Sequence, residues 1–199
     1  MKLLVKKSVF EELIRPKIYL SFSYGTIEKA FNSAVHPRDE RGRFTDKGIM
    51  ELTEQEREEL LDYLEKEEYE DYNGFHISKR KIDAVKEGRY KTEIAMCNIL
   101  AEKGFDVYLL EENYTKGKKA DTFFKKQGKR DFLELKDTDN DLTRQYNRSI
   151  EQAKSCFISI KGAVSSSKMK SLKDAIAKNP NADEVYLYID SDKKFLKVK

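Results

Sequence analysis

The chain has 199 residues, 38% charged and 39% apolar, enough for one domain of ordinary size with an extension or for two small ones. No stretch approaches 18 consecutive apolar residues, which excludes a membrane-spanning helix, and the basic start MKLLVKKSVFEELIRPK lacks the apolar core and cleavage site of a signal peptide. A cytoplasmic protein with no membrane partner is expected. The net charge of +3 hides an asymmetry: residues 51–72 carry −9 and the remainder +12, a balance that favours a polyanionic partner such as nucleic acid. Cys97 and Cys156 lie in apolar patterns and read as buried free thiols of a reducing compartment. With no Cys-x-x-Cys and only His36 and His76, no zinc site is expected.

Taken in order, residues 5–14 have helix-like apolar spacing that Pro16 interrupts. Residues 18–24 suit a short strand and 26–31 a helical turn. Residues 36–48, HPRDERGRFTDKG, have the charge, Pro and Gly content of a linker, which we place at 35–50. The same string resembles an HPRDxxGRF-like segment found near module junctions in phage and mobile-element proteins. Residues 52–72 read as one helix. Thr53 caps it, Glu56 completes a capping box, and Leu60, Leu61, Tyr63 and Leu64 form its apolar stripe. Its acidic face either meets solvent or lies against a basic groove. Asn73-Gly74 marks a break, 75–77 a short extended piece, and His76 reads as structural.

Residues 81–103 read as helix, above all 90–103, where Ile94, Cys97, Asn98, Leu100 and Ala101 line one side and Gly104 supplies a left-handed cap. Glu93 lies beside that apolar side. A strand at 105–110 and a polar loop at 111–119 follow. Then come a hairpin, a helix over 139–156 and a buried strand at 157–160. The helix has Leu142, Tyr146, Ile150 and Ala153 inward. A helix at 168–178, with Met169, Leu172 and Ile176 inward, precedes strands at 184–189 and 194–198. The fold class is α/β (α+β): a central mixed β-sheet flanked by helices over residues 81–199, preceded by a mainly helical extension over 1–80.

The hairpin, ADTFFKKQGKRDFLELKD over residues 120–137, concentrates the chemistry. Two apolar runs, 122–124 and 132–135, flank a turn with Gly128 at its tip. Side chains alternate along a strand, so Glu134 and Lys136 share one face and Leu135 takes the other. Asp121 starts the first strand, so two carboxylates and an ammonium converge at one end. Carboxylate oxygens suit a hard cation such as magnesium, and an adjacent Lys can orient water or steady phosphate charge.

The order of a helix with Glu93, three strands carrying Asp121 and then Glu134-Leu135-Lys136, a helix and a strand resembles the PD-(D/E)xK, restriction-endonuclease-like nucleases. Ala120 stands where the family name has Pro. Residues 88–199 are also similar to the C-terminal toxin domains of CdiA-type contact-dependent inhibition proteins, some of which are metal-dependent tRNA nucleases and others DNases. The resemblance implies that Asp121, Glu134 and the Leu135 carbonyl bind Mg²⁺ (or Mn²⁺). Lys136 would position the attacking water, and Glu93 would bind metal through water or accept a proton. Lys116, Lys118 and Lys119 before the hairpin, and Arg144, Arg148 and Gln152 after it, are candidate phosphate contacts. Tyr114 is a candidate for stacking on unpaired bases, while Tyr146 fits the core better.

The expected function is therefore a metal-dependent nuclease acting on tRNA or other RNA in a toxin-like role in the cytoplasm of a target cell, with a cognate immunity protein as a further partner. Three alternatives stand beside it. One is a DNA endonuclease of a phage or mobile element. Another is a metal-independent toxin RNase recruiting His76, Lys136 and Arg144. The third is a non-catalytic nucleic-acid-binding module. The nuclease reading requires that Asp121 and Glu134 lie close together and that Glu93 and Lys136 share one side of the sheet.

Overall fold

The computed structural model describes residues 48–111, 114, 117–179 and 181–199. The elements expected before residue 35, most of the linker, and Lys116 lie outside the described residues. The described chain is mixed α/β. Its eight strands form one sheet whose spatial order is the order of the sequence. They are β1 (Tyr69–Tyr72), β2 (Phe75–Ser78), β3 (Asp106–Leu109), β4 (Thr122–Lys126), β5 (Lys129–Thr138), β6 (Ser155–Ile160), β7 (Glu184–Ile189) and β8 (Lys194–Lys197). β2 pairs with β3, β5 with β6 and β6 with β7 in parallel; the other neighbours are antiparallel. The helices are α1 (Glu54–Leu64), α2 (Ile82–Lys86), α3 (Lys91–Glu102), α4 (Leu142–Ser149) and α5 (Ser166–Lys178).

Two-residue turns explain the hairpins. Asn73 and Gly74, with φ of 51° and 92°, join β1 to β2, and Gln127 and Gly128, at 51° and 80°, join β4 to β5. Positive φ at both central residues is the type I′ pattern, whose twist matches paired strands. β6 reads SCFISI and is buried at every position, as a strand covered on both faces must be.

One face of the sheet carries α3. Met96, Cys97 and Leu100 pack there on Phe75, Val107, Phe124, Leu133, Leu135 and Phe157. The other face has two parts. α1 packs Leu60, Leu61 and Leu64 near Phe123 and Phe132, while α4 and α5 place Leu142, Tyr146 and Leu172 on Cys156, Ile158 and Leu187. Cys97 and Cys156 are buried free thiols.

Several elements differ from expectation. The acidic helix has the expected Thr53–Glu56 capping box, at 3.2 Å and 2.7 Å, but it ends at Leu64 rather than 72. Residues 69–72 are held as a strand by the Asn73-Gly74 turn. The expected 81–103 helix is two helices, because Gly88 and Tyr90 take positive φ, 81° and 59°, between them. The helix expected to reach Cys156 stops at Ser149, since residues 155–160 pair with both β5 and β7. Residues 48–80 do not form a separate helical piece. β1 and β2 continue the sheet, and Ile49 and α1 share a core with Phe123 and Phe132. The acidic face of α1 is partly engaged: Arg130 reaches Glu58 and Asp62 at 2.6 Å and Glu65 at 3.3 Å.

Candidate active site at the β4–β5 rim

Thr122 of β4 faces Leu133 of β5, so Asp121 and Glu134 fall opposite each other one position beyond that pair. The Leu135 amide donates to Asp121 Oδ2 at 3.2 Å, which ties the carboxylate to the next strand. The loop before Asp121 is pinned as well. Ile49 N–H donates to Lys118 O at 2.9 Å. Gly48 lies so close that an added Cβ would meet Lys118 backbone at 3.1 Å.

Glu134 is 1% exposed. Lys136 Nζ donates to its Oε1, while Oε2 is buried with no hydrogen-bond partner. Burial first, and then the Asp121 charge, push the Glu134 carboxyl up to about 8 against the pull of Lys136 and of the Asp121 amide. Burial also raises the Asp121 carboxyl. Lys136, the Leu135 amide and Lys81 oppose that rise, and Glu93 adds to it. The two acids thus act on each other in a buried setting, a condition that clusters at functional sites.

Leu133 and Leu135 pack beneath α3, so alternation sends Glu134 and Lys136 to the opposite face. Glu93 rises from α3. Its charge acts on Asp121. The requirement that Glu93 and Lys136 share one side is therefore not met; Asp121, at the strand end, is the group common to both. Among the described residues no three His, Cys, Asp or Glu side chains are grouped to hold a metal ion. The remaining set is two carboxylates and the Leu135 carbonyl. Their hard oxygens, and the orphaned Oε2 above all, fit a divalent cation such as Mg²⁺.

Sequence reasoning missed Lys81. It is 6% exposed, its Nζ donates to Leu110 O at 3.0 Å, and the Leu110 amide in turn donates to Asp121 O at 3.0 Å. Tyr90, in the left-handed region, holds its ring 3.9 Å from that ammonium. The only sequence signal was one Lys in a stretch rich in them.

The other candidates are scattered. Arg144 and Arg148 are exposed on α4, which packs over β5 and β6 on the Glu134 face, and neither forms an ion pair among the described residues. Gln152 lies past the end of α4 in a turn. Lys119 is half-buried, and exposed Lys118 pairs with Glu151 at 2.5 Å. Tyr114 is buried, with its hydroxyl donating to Ala120 O at 2.8 Å, so it offers no stacking face. Tyr146 is core. His76 is held at both ring nitrogens, by Asp71 at 2.6 Å and Asp106 at 2.9 Å, and stacks on Tyr108.

No protein-family model, curated protein or solved structure matches the chain.

Proposed function

We propose that the chain is a divalent-metal-assisted nuclease, with tRNA or other RNA as its first substrate class and a site that rests on Asp121, Glu134 and Lys136 rather than on Glu93 beside Lys136. The observation that carries this reading is Glu134: a carboxylate buried on a strand opposite Asp121, one oxygen on Lys136 and the other without a partner. A buried carboxylate left in that state is costly unless a cation completes it. Support also comes from the order α3, β3, β4, β5, α4, β6, which is the order the restriction-endonuclease-like resemblance implies. The preference for RNA and for a toxin-like role restrained by an immunity protein comes from the resemblance to CdiA-type domains.

In this reading Asp121 and Glu134, with the Leu135 carbonyl, hold the ion. When bound, it supplies charge neutralisation at the phosphate and a more acidic water. The chain's own groups do the rest. The Leu135 amide fixes the Asp121 carboxylate, and Lys136 orients Glu134 and presents its remaining N–H groups to the scissile phosphate. Arg144 and Arg148 provide exposed guanidinium groups for the flanking backbone on the same face. Glu93 serves at most through Asp121.

The test incubates purified protein with tRNA and with plasmid DNA, each with Mg²⁺ or EDTA, beside a Glu134→Ala variant. Cleavage of tRNA that needs Mg²⁺ and is lost in the variant is the expected result. Cleavage that survives EDTA overturns the metal-assisted mechanism. Cleavage of plasmid alone replaces RNA with DNA, and no cleavage of either sinks the assignment.

A further inference from the structure

The three central parallel strands β5, β6 and β7 end side by side, and a cavity of about 310 Å³ opens there beneath the start of α3. It lies on the α3 face, opposite the face from which Glu134 and Lys136 rise. Its sheet wall is one row across the strands. Asp137 faces Ser159 in register, and Ser159 faces Tyr188. Adjacent strands lie roughly 4.8 Å apart, so the row spans about 10 Å.

Two members of this row are polar, buried and unused. Ser159 is 8% exposed and Tyr188 9% exposed. Neither hydroxyl makes a hydrogen bond among the described residues, although both side chains line the cavity. Their oxygens are not shut away from water, so they are open to a ligand in the cavity, and two hydroxyls side by side at one opening give it a hydrogen-bonding wall.

The other walls narrow the chemistry. Ala95 and Met96 of α3 give an apolar side, and the small Ala95 leaves room for a flat body. Asp137 and Asp190 supply acceptors. Lys161 lies 3.1 Å from the first, and Lys193 2.6 Å from the second, so a neutral ligand with N–H or O–H donors suits them better than a cation. At the mouth, exposed Lys91 has no ion pair among the described residues. It opens α3, whose N-cap Tyr90 makes no side-chain cap. Free first-turn amides and a lysine favour a phosphate. Open α/β sheets commonly bind ligands at the carboxyl ends of parallel strands.

We propose that this cavity binds a nucleotide. Its base and sugar lie against Asp137, Ser159, Tyr188 and Asp190, and its phosphate lies at the mouth with Lys91 and the α3 amides. The ligand is a free nucleoside monophosphate or one residue of a strand; the recognising chemistry is the same. The proposal does not require cleavage at Asp121 and stands or falls separately from it.

The experiment is amide NMR of the full chain, without metal, titrated with AMP, GMP, CMP and UMP. Ribose 5-phosphate and inorganic phosphate serve as controls. At least one mononucleotide should give saturable shifts at Ser159, Tyr188 and Lys91. Ser159→Ala and Tyr188→Phe should each weaken that binding about fivefold to tenfold, the scale of one hydrogen bond. Both variants should keep the parental melting temperature, because the lost hydroxyls have no partner among the described residues. Displacement of the nucleotide by a short single-stranded RNA assigns the site to a strand residue, and its failure assigns it to free nucleotide. The proposal is overturned if no nucleotide saturates, if ribose 5-phosphate or phosphate binds as well, or if the folded variants bind like the parent.

Discussion

Arg57 of α1 and Asp131 of β5, 74 residues apart in the chain, form an ion pair shut away from solvent. Asp131 also accepts from Ser155 Oγ at 3.0 Å and from the Phe132 amide at 2.8 Å, so the pair joins α1, β5 and β6 at one point. Removing one partner leaves the other charge buried. Arg57→Ala should therefore cost about 3–5 kcal/mol in urea unfolding. A chain starting at residue 81 loses α1 and this pair together, and should not give a cooperative transition. A loss under 1 kcal/mol in Arg57→Ala would show that α1 is not integral to the fold.

Glu134 sets a pH dependence of stability in the metal-free protein. Its carboxyl has an ordinary value near 4.5 when unfolded and is pushed up to about 8 by burial and the Asp121 charge when folded. Between those values the folded state holds a proton that the unfolded state has released, so stability must fall as pH rises. Above about 8 both states are ionised and this contribution levels off. Thermal melts from pH 5 to 9 should show the decline, and Glu134→Gln should flatten it and gain roughly 2–4 kcal/mol at pH 8. A parental profile already flat across that window would mean that Glu134 is compensated in solution.

Divalent metal should reverse that loss. At pH 8, Mg²⁺ is expected to raise the melting temperature of the parent and leave Glu134→Gln nearly unmoved, because the variant cannot offer a charged oxygen. The same substitution should lower Mg²⁺-dependent cleavage by at least roughly a hundredfold, the scale of losing a charge that stabilises the transition state. Equal thermal protection of both proteins would place the metal elsewhere.

Arg144 and Arg148 should act through charge alone. Changing both to Ala is expected to reduce the slope of log binding constant against log salt by roughly 1.4–1.8, from about 0.7–0.9 per phosphate contact. Melting temperature should stay within a degree or two, since both side chains are exposed. An unchanged slope, measured by fluorescence anisotropy with a labelled tRNA, removes α4 from the interface.

Local rules made much of this legible in the sequence. Asn73-Gly74 and Gly128 announced turns, Thr53 and Glu56 announced a capping box, and alternation through Phe132–Leu135 placed Glu134 and Lys136 on one face. What failed was long-range. Nothing local says which face of the sheet α3 covers, and that decides whether Glu93 joins Lys136. Nor does spacing announce that Lys81 sits under the Tyr90 ring, since a Tyr in the left-handed region has no sequence signature. The acidic run at 65–72 has a helix-like composition, and it is pairing with residues 75–78 that makes 69–72 a strand.

The sheet's spatial order, identical to its chain order, has a consequence for how the molecule comes to be. During synthesis each emerging strand meets an edge laid down just before it, so no later segment has to wedge between two already joined. Assembly can proceed vectorially, each closure spanning only the connection from the strand just before it. A chain pulled apart from one end could zip back by the same route without threading.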